Sequence, residues 1–397
     1  MSRIFITFSA TILFIMAGCG GCNQSGSQND ELITVDVTAK YPKKELILQD
    51  FLDVEYIPLE TTDEFLTMAY IQAIGENSIV VRNLNRDGKI FFFDRKNGKG
   101  LRVINRSGQG AEEYIVPQKV SLDEDHNEMF VNDNISEKIF VYDLFGIFKR
   151  SFSHKGNTTY SRIYPFDQDY LIAQDKARNH YDESVNQFMI ISKQDGRVIR
   201  EISIPYEKKK DTHLVIDKTE RSSDSSAPIN EELIPHGNSW FLVDPSSDTI
   251  YSYSPGHNMK QVIARTPSIQ TMEPEIFLFL GVVTERYLFM QTVKREYNFI
   301  TQTGWPRIDL ICDREERKIY EYVVYNDDFK DKSINLGFEL AVLYVVNNNE
   351  IAFAKKLDAP DLVEAYKNGQ LKGRLKEIAA TLDEESNAVI MLAKYKK

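Results

Sequence analysis

The segment Gly108-Gln109-Gly110 has the beginning of the glycine pattern in which backbone amides hold a dinucleotide pyrophosphate. That pattern requires a third glycine where this chain has Glu113, and a carboxylate at this position would repel phosphate. We therefore interpret the segment as a tight turn between two structural elements.

A second motif, Asp123-x-Asp125-x-Asn127, resembles the start of a calcium-binding loop, in which alternate side chains supply oxygen ligands. The sixth residue of that loop should be glycine and the twelfth glutamate, but this chain has Glu128 and Asn134 there. A turn that connects two strands fits the sequence better, and weak Ca²⁺ binding is the alternative.

The histidines are scattered, and no two of them have the i, i+4 spacing that places two metal ligands on one face of a helix. A zinc site needs three or four ligands, which distant parts of the chain could still bring together. No Gly-x-Ser-x-Gly motif is present, and Cys312 lies inside an apolar strand pattern, so the sequence has no candidate nucleophile. We expect no metal and no cofactor. The histidines are His126, His154, His180, His213, His236 and His257.

The two tryptophans, Trp240 and Trp305, are the candidate ligand-binding residues. Trp305 lies in the loop-like sequence Thr-Gly-Trp-Pro, and Trp240 follows the polar residues His-Gly-Asn-Ser. A tryptophan in such a setting can stack on a sugar ring or on an apolar group of a partner protein. The alternative is an indole packed against a neighbouring structural element.

The N-terminus predicts export. A basic residue, Arg3, precedes an apolar run over residues 4–16 that is too short to span a bilayer, and small residues follow it. The sequence Met16-Ala17-Gly18-Cys19 resembles the bacterial lipobox, and this resemblance implies that Cys19 is lipidated and becomes the new N-terminus. Cys22 is a second candidate acceptor, and an ordinary cleaved signal is the alternative.

One hairpin pattern recurs five times: an alternating apolar strand, a short polar turn and a second strand. The spacing of the copies is 49 to 62 residues, and no helical pattern lies within them. A strand-only repeat of this size predicts a β-propeller in which each repeat is one four-stranded blade. The hairpins begin at Lys89, Lys138, Gln187, Thr249 and Arg307.

A sixth blade is predicted from a hairpin over residues 340–354 and a final strand over 388–393. Between them Pro360 begins a helical stretch, and apolar residues from Leu371 to Leu382 follow the spacing of one helical face. We predict an all-β, six-bladed β-propeller with a short C-terminal helical insertion in the last blade. To close the ring, we expect the strand near Thr34 to pair with the strand near Ile390, and residues 54–59 to enter the first blade.

Several segments resemble the six-bladed β-propeller lipoproteins of Bacteroidales, and the blades resemble those of NHL-type propellers. The resemblance rests on residues 43–51 (KKELILQDF) and 54–62 (VEYIPLETT), on Gly108–Tyr114 and on residues 382–387 (LDEESN). It implies a cell-envelope protein and brings no catalytic residues. The predicted organisation is a signal peptide (1–18), a flexible tether (19–30) and the propeller (31–397).

Two functions follow as hypotheses. The first is a lipid-anchored binding or scaffold module, located at the outer membrane, for a glycan or an envelope protein. The alternative is a glycan-acting hydrolase or lyase with its site in the central channel. The formal net charge of −11 argues against binding to a nucleic-acid backbone, and we expect a monomer held to the membrane by its N-terminal lipid.

Substitution of Cys19 with serine tests the anchor. The lipobox resemblance implies a thioether, which serine cannot form, so Cys19→Ser should abolish palmitate labelling and leave a folded protein that is released or retains its signal. Labelling and membrane fractionation after a salt wash measure the effect. A variant that is still labelled and still sediments with membranes would direct the same test to Cys22.

Overall fold

Six antiparallel sheets of four strands each form the blades of the protein in a computed structural model. It describes residues 32–396 except 85–86, 157, 178–186, 220–221, 335, 337–341 and 345–349. Cys19, Cys22, His180, the predicted signal and the tether lie outside the described residues. The six-bladed all-β propeller predicted from the repeats is confirmed.

The chain begins with segments that later join other blades: β1 (Ile33–Asp36), β2 (Lys43–Ile47), α1 (Leu48–Phe51) and β3 (Leu52–Pro58). Blade 1 consists of β4 (Tyr70–Ile74), β5 (Ser78–Arg82), β6 (Lys89–Asp94) and β7 (Gly100–Asn105). Blade 2 consists of β8 (Lys119–Asp123), β9 (Glu128–Asp133), β10 (Lys138–Tyr142) and β11 (Phe148–Ser153). Blade 3 consists of β12 (Thr158–Pro165), β13 (Tyr170–Ala177), β14 (Phe188–Ser192) and β15 (Val198–Ile202).

A small hairpin of β16 (Leu214–Thr219) and β17 (Ser222–Ser226) precedes blade 4. Blade 4 has β18 (Leu233–His236), β19 (Ser239–Leu242), β20 (Thr249–Ser254) and β21 (Asn258–Thr266), followed by a 3₁₀ turn (Ile269–Thr271). Blade 5 has β22 (Ile276–Val283), β23 (Tyr287–Lys294), the hairpin β24 (Tyr297–Asn298) and β25 (Thr303–Gly304), β26 (Arg307–Asp313), β27 (Lys318–Tyr325) and β28 (Ser333–Ile334). Blade 6 has β29 (Val342–Tyr344), β30 (Ile351–Leu357), the helices α2 (Ala359–Lys367) and α3 (Gly373–Ala379), and β31 (Val389–Tyr395).

The alternation of side chains along each strand divides the core between neighbouring blades. In β6, Phe91 and Phe93 belong to the core between blades 6 and 1, whereas Ile90 and Phe92 belong to the core between blades 1 and 2. Successive residues of a strand point to opposite faces of its sheet, and here both faces are covered. This is why the central strands are apolar at every position instead of at every second one.

The five predicted hairpins are the outer two strands of blades 1 to 5. Each begins at or one residue before the start of the third strand of its blade, as in Lys138 at the start of β10. The polar turn of each hairpin therefore lies at the same end of every blade, and the period of the sequence equals one blade.

The predicted closure of the ring is wrong in its choice of strand. β3, and not the strand near Thr34, pairs with β31, with Ile57 opposite Ile390. Residues 54–59 therefore complete blade 6 instead of entering blade 1. Both segments have an alternating apolar pattern, so the pattern alone does not show which one pairs with the last strand.

β1 and β2 extend the outer edges of other blades. β1 pairs in parallel with β21 of blade 4, so that Thr34 lies opposite Ala264. β2 pairs in parallel with β27 of blade 5. These two strands cover sheet edges that would otherwise present unpaired backbone groups.

The helical insertion of blade 6 is confirmed, but it consists of two helices instead of one. α2 ends at Lys367, and Gly369, two residues further on, has a φ of +64°. The amides of Gly369 and Gln370 donate to the carbonyls of Tyr366 and Ala365, the hydrogen bonds of a Schellman motif. Only glycine adopts this backbone conformation at little cost, so the chain turns here. Among the described residues, no helix is long and apolar enough to cross a bilayer.

The closing strand is held at its end by Asn387, which is 2% exposed. Its Nδ2 donates to the carbonyls of Glu60 and Phe65 at 2.7 and 2.5 Å, and its Oδ1 accepts from the amide of Thr67 at 2.9 Å. The side chain thus joins the entry to the last strand with the exit from β3.

Asn387→Ala should lower the free energy of unfolding by about 2–3 kcal/mol, because three backbone groups lose a buried partner. The control is Asn97→Ala in the exposed turn of blade 1, where the side chain accepts one hydrogen bond from Lys99, and a loss below about 1 kcal/mol is expected. Urea unfolding of both variants measures the difference. Equal losses would show that Asn387 has no special part in closure.

Candidate functional site

The insertions of the chain are concentrated at one face of the ring. We define the upper face as the end at which the inner strand of each blade begins and the second strand ends, as for the pair Tyr70 and Arg82. The β16–β17 hairpin, the β24–β25 hairpin and the two helices all lie in connections that belong to this face. In propellers the blades surround a central channel, so these insertions are placed around its opening.

Four charged side chains from different blades meet near the start of the inner strands, and we call them the mouth cluster: Arg82, Lys119, Arg162 and Glu231. Arg82 ends β5, Lys119 begins β8 and Arg162 lies in β12. Glu231 lies in the connection before β18. The cluster has three cations and one carboxylate, in a chain whose overall charge is strongly negative.

Lys119 is 8% exposed, and its ammonium lies between two blades. Nζ donates to the carbonyl of Gln72 in blade 1 at 3.3 Å and lies 5.2 Å from the ring centroid of Tyr164 in blade 3. Burial lowers the pKa of Lys119 to about 7, and the positive charges of Arg162 and Arg82 act in the same direction against the opposing effect of Glu231.

Arg162 has a close partner. Its Nε and Nη2 donate to the two carboxylate oxygens of Glu231 at 3.0 and 2.5 Å. Burial alone would lower the pKa of Arg162, but Glu231 raises it above the usual value. Both oxygens of Glu231 are used in this bidentate pair, so the carboxylate is directed at Arg162 and not at Lys119.

The residues next to Glu231 connect the mouth cluster to three blades. Glu232 accepts hydrogen bonds from Gln174 and Gln187 of blade 3. Asn230 donates to Gln291 of blade 5 at 3.3 Å. Segment 230–232 thus lies between blades 3 and 5 before the chain enters blade 4, and its side chains are tied on both sides.

Exposed apolar side chains lie near the mouth cluster, in the connections of blades 1 and 2 at the upper face. Leu66, Met68 and Leu84 are 59%, 51% and 54% exposed, and the amide of Met68 donates to the side chain of Asn83 beside Leu84. The amides of Ile115 and Ile135 both donate to Asp133, and the two side chains are also exposed. We call these five residues the apolar rim. Exposed apolar groups that lie together often mark an interaction surface.

Both tryptophans are buried and packed on neighbours, and they do not lie together. Trp240 is 3% exposed and stacks on Tyr164 with ring centroids 5.2 Å apart, on the ring that contacts Lys119. Trp305 is 7% exposed, and its Nε1 donates to Oγ of Ser226 at 2.8 Å. Trp240 thus packs on the tyrosine that contacts Lys119 of the mouth cluster. Trp305 links the β24–β25 hairpin to the β16–β17 hairpin. Neither presents an open ring face here, and a ligand-binding role for them stays a prediction.

The other motifs are turns, as interpreted from the sequence. The amide of Gly110 donates to the carboxylate of Glu113 at 2.8 Å in the connection between blades 1 and 2. Asp123 accepts from the buried ammonium of Lys193 and lies 2.9 Å from the ring of His126, so its oxygens already have partners within the protein. Among the described residues, no group of three or more His, Cys, Asp or Glu side chains is placed to hold a metal ion.

The mouth cluster is not among the site residues predicted from the sequence. A signal for it exists, because Lys119 directly precedes an apolar strand and Arg162 lies within one. A cation at such a place in an inner strand must face either another blade or the channel, and charged side chains are seldom buried without a partner.

The sequence and the fold match known proteins. The family model described as DUF5128, 6-bladed β-propeller, matches residues 23–344. A Bacteroides fragilis protein named as an inferred exported protein has 15% identity and a TM-score of 0.59 over 92% of this chain and 99% of its own. A DUF4221 member from Bacteroides vulgatus has 10% identity and a TM-score of 0.48 over 88% and 99%. No curated protein matches the sequence.

Lys119→Met tests the environment of the mouth cluster through pH. The unfolded chain holds the lysine proton up to about pH 10.5, whereas the folded state releases it near pH 7. The unfolded state therefore binds more protons in this range, and Lys119 makes the wild type gain stability as pH rises. The stability of Lys119→Met relative to the wild type should fall from pH 7 to pH 10, by at most about 1.4 kcal/mol per pH unit.

Urea unfolding at several pH values measures this difference. The matched control is Lys89→Met, which removes an exposed ammonium from blade 1 and should show no such trend. A pH-independent difference for Lys119→Met would show that the ammonium remains hydrated in the folded protein.

Proposed function

The chain belongs to the DUF5128 family of six-bladed β-propellers, and on that basis we propose that it is a lipid-anchored binding module of the cell envelope whose upper face binds a glycan or an envelope protein. The observation that carries the proposal is that the insertions, the apolar rim and the mouth cluster all lie on one face of a closed ring.

The fold suits binding because the packed blades and the loops that could contact a partner are separate parts of the chain. The blades hold each other through cores in which strand residues of both neighbours are fully buried. The connections of the upper face carry the hairpins, the helices and the apolar rim, and loops positioned by a rigid scaffold are where binding residues are commonly found.

Support for the location comes from the N-terminal sequence. Residues 1–18 have the organisation of a secretory signal, and Cys19 follows the lipobox-like residues. Two or more acyl chains hold a protein at a membrane without any apolar surface on the folded part. The inferred export of the Bacteroides fragilis protein agrees with an envelope location for this chain as well.

Capture from solubilised envelope tests the proposal. The full-length protein should retain a partner or glycan fraction that the double variant Met68→Asp/Leu84→Asp loses, because two charges in the apolar rim prevent its desolvation. Both side chains are more than half exposed, so the variant should fold normally.

The matched control is Phe145→Asp, which changes a still more exposed apolar residue in the turn between β10 and β11 at the opposite face. It should retain the captured fraction. Loss of capture in the control and retention in the double variant would place recognition at the lower face. Release of shortened glycan products by the wild type would contradict a pure binding role.

A further inference from the structure

The mouth cluster contains hydrogen-bond donors that the protein leaves unused. Arg82 donates through Nη1 and Nη2 to the carbonyls of Asn83 and Gln118, but its buried Nε has no acceptor. Lys119 has one acceptor among the described residues, the carbonyl of Gln72, at the long distance of 3.3 Å. An ammonium has three N–H groups, so two of them remain unused. A buried donor without a partner costs free energy, and its presence requires a reason.

The mouth cluster also has more positive than negative charge. Glu231 pairs with Arg162 through both of its oxygens, and Asp87 acts on Arg82 through its charge without a hydrogen bond, which leaves Lys119 without a carboxylate in direct contact. The groups that act on Lys119 electrostatically are Arg82, Arg162 and Glu231, and Tyr164 lies against its ammonium. Buried charges in proteins are normally paired, so the charged form of Lys119 lacks a negative partner here.

From this geometry we infer that the channel mouth binds a carboxylate group of its ligand, with the unused N–H groups of the Lys119 ammonium as donors and the Arg82 charge close by. This rests on the proposed function and names the chemistry of the ligand: an acidic sugar such as a hexuronate. The two unused N–H groups of Lys119 match the two oxygens of one carboxylate, whereas inorganic phosphate has four oxygens and up to two charges to satisfy at neutral pH.

The surroundings fit a sugar acid better than a bare anion. Tyr70 is partly exposed beside Arg82, with the guanidinium carbon 5.6 Å from its ring centroid, and a tyrosine ring offers a flat apolar face to a pyranose. Met68 of the apolar rim lies two residues before Tyr70 in the sequence. The carboxylate would thus enter the polar centre while the ring of the sugar remains near the aromatic and apolar border.

Titration of the detergent-solubilised full-length protein with glucuronate tests the inference, with glucose as the neutral match and inorganic phosphate as the competing anion. Glucuronate should bind with a Kd on the order of 1 mM at pH 6. Glucose should bind at least about tenfold more weakly because it lacks the charged group. Binding should weaken at high ionic strength and at pH 9, where Lys119 is neutral. Equal binding of glucose, or tighter binding of phosphate, would overturn the inference.

Two substitutions of Lys119 test whether its ammonium is the donor to glucuronate. Lys119→Met should lower glucuronate affinity about tenfold or more, because a charge-assisted hydrogen bond is lost, and Lys119→Arg should retain part of it. Lys89→Met, which changes an exposed lysine in the neighbouring blade 1, should bind glucuronate as the wild type does. Unchanged affinity in Lys119→Met would overturn the inference.

A measurement on the wild type covers the case in which a variant does not fold. With isotope-labelled lysine, the titration of the Lys119 signal should move to higher pH when glucuronate is added, since a bound carboxylate favours the charged ammonium. A titration that stays in place at saturating glucuronate overturns the inference. Capture of an envelope partner through the apolar rim would then still stand, because that test does not depend on Lys119.

Discussion

The structure depends on one constraint: each blade is apolar on both faces and must therefore lie between two others. A row of such sheets would leave two large apolar faces in water, and burying apolar surface stabilises by about 25 cal/mol per Å². A closed ring is the arrangement that covers every face. The choice of residues in β6, with phenylalanine on both sides, follows from this requirement, as does the pairing of β3 with β31.

The same constraint places the polar residues. Apolar surfaces fill the spaces between blades, so the ends of the inner strands are where charged side chains can be accommodated at moderate cost. Arg162 is stabilised there by the carboxylate of Glu231, whereas Lys119 has no carboxylate in direct contact. Proteins often retain such a locally unfavourable group where it has a function. Tyr164, supported by Trp240, keeps the ammonium in position.

The sequence predicted the repeat, the number of blades and the outer hairpins, because these are local patterns with a fixed period. It did not predict closure, since the segment around Thr34 and the segment around Ile57 have the same alternation and differ only in distant partners. Trp240 was expected near a surface because its sequence neighbours are polar, but its burial depends on Tyr164 in another blade. The mouth cluster depends on four segments that meet only in the folded ring.

The pairing of β3 with β31 also determines when the ring can close during folding. Asn387 and Glu60 are 327 positions apart, so the hydrogen bond between them forms only when almost the whole chain is available. Contacts of such long range slow folding. Blades 1 to 5 can associate as they are synthesised, while β3 must wait with one edge unpaired until the final strand is available. This protein is therefore most exposed to aggregation and proteolysis just before its synthesis is complete.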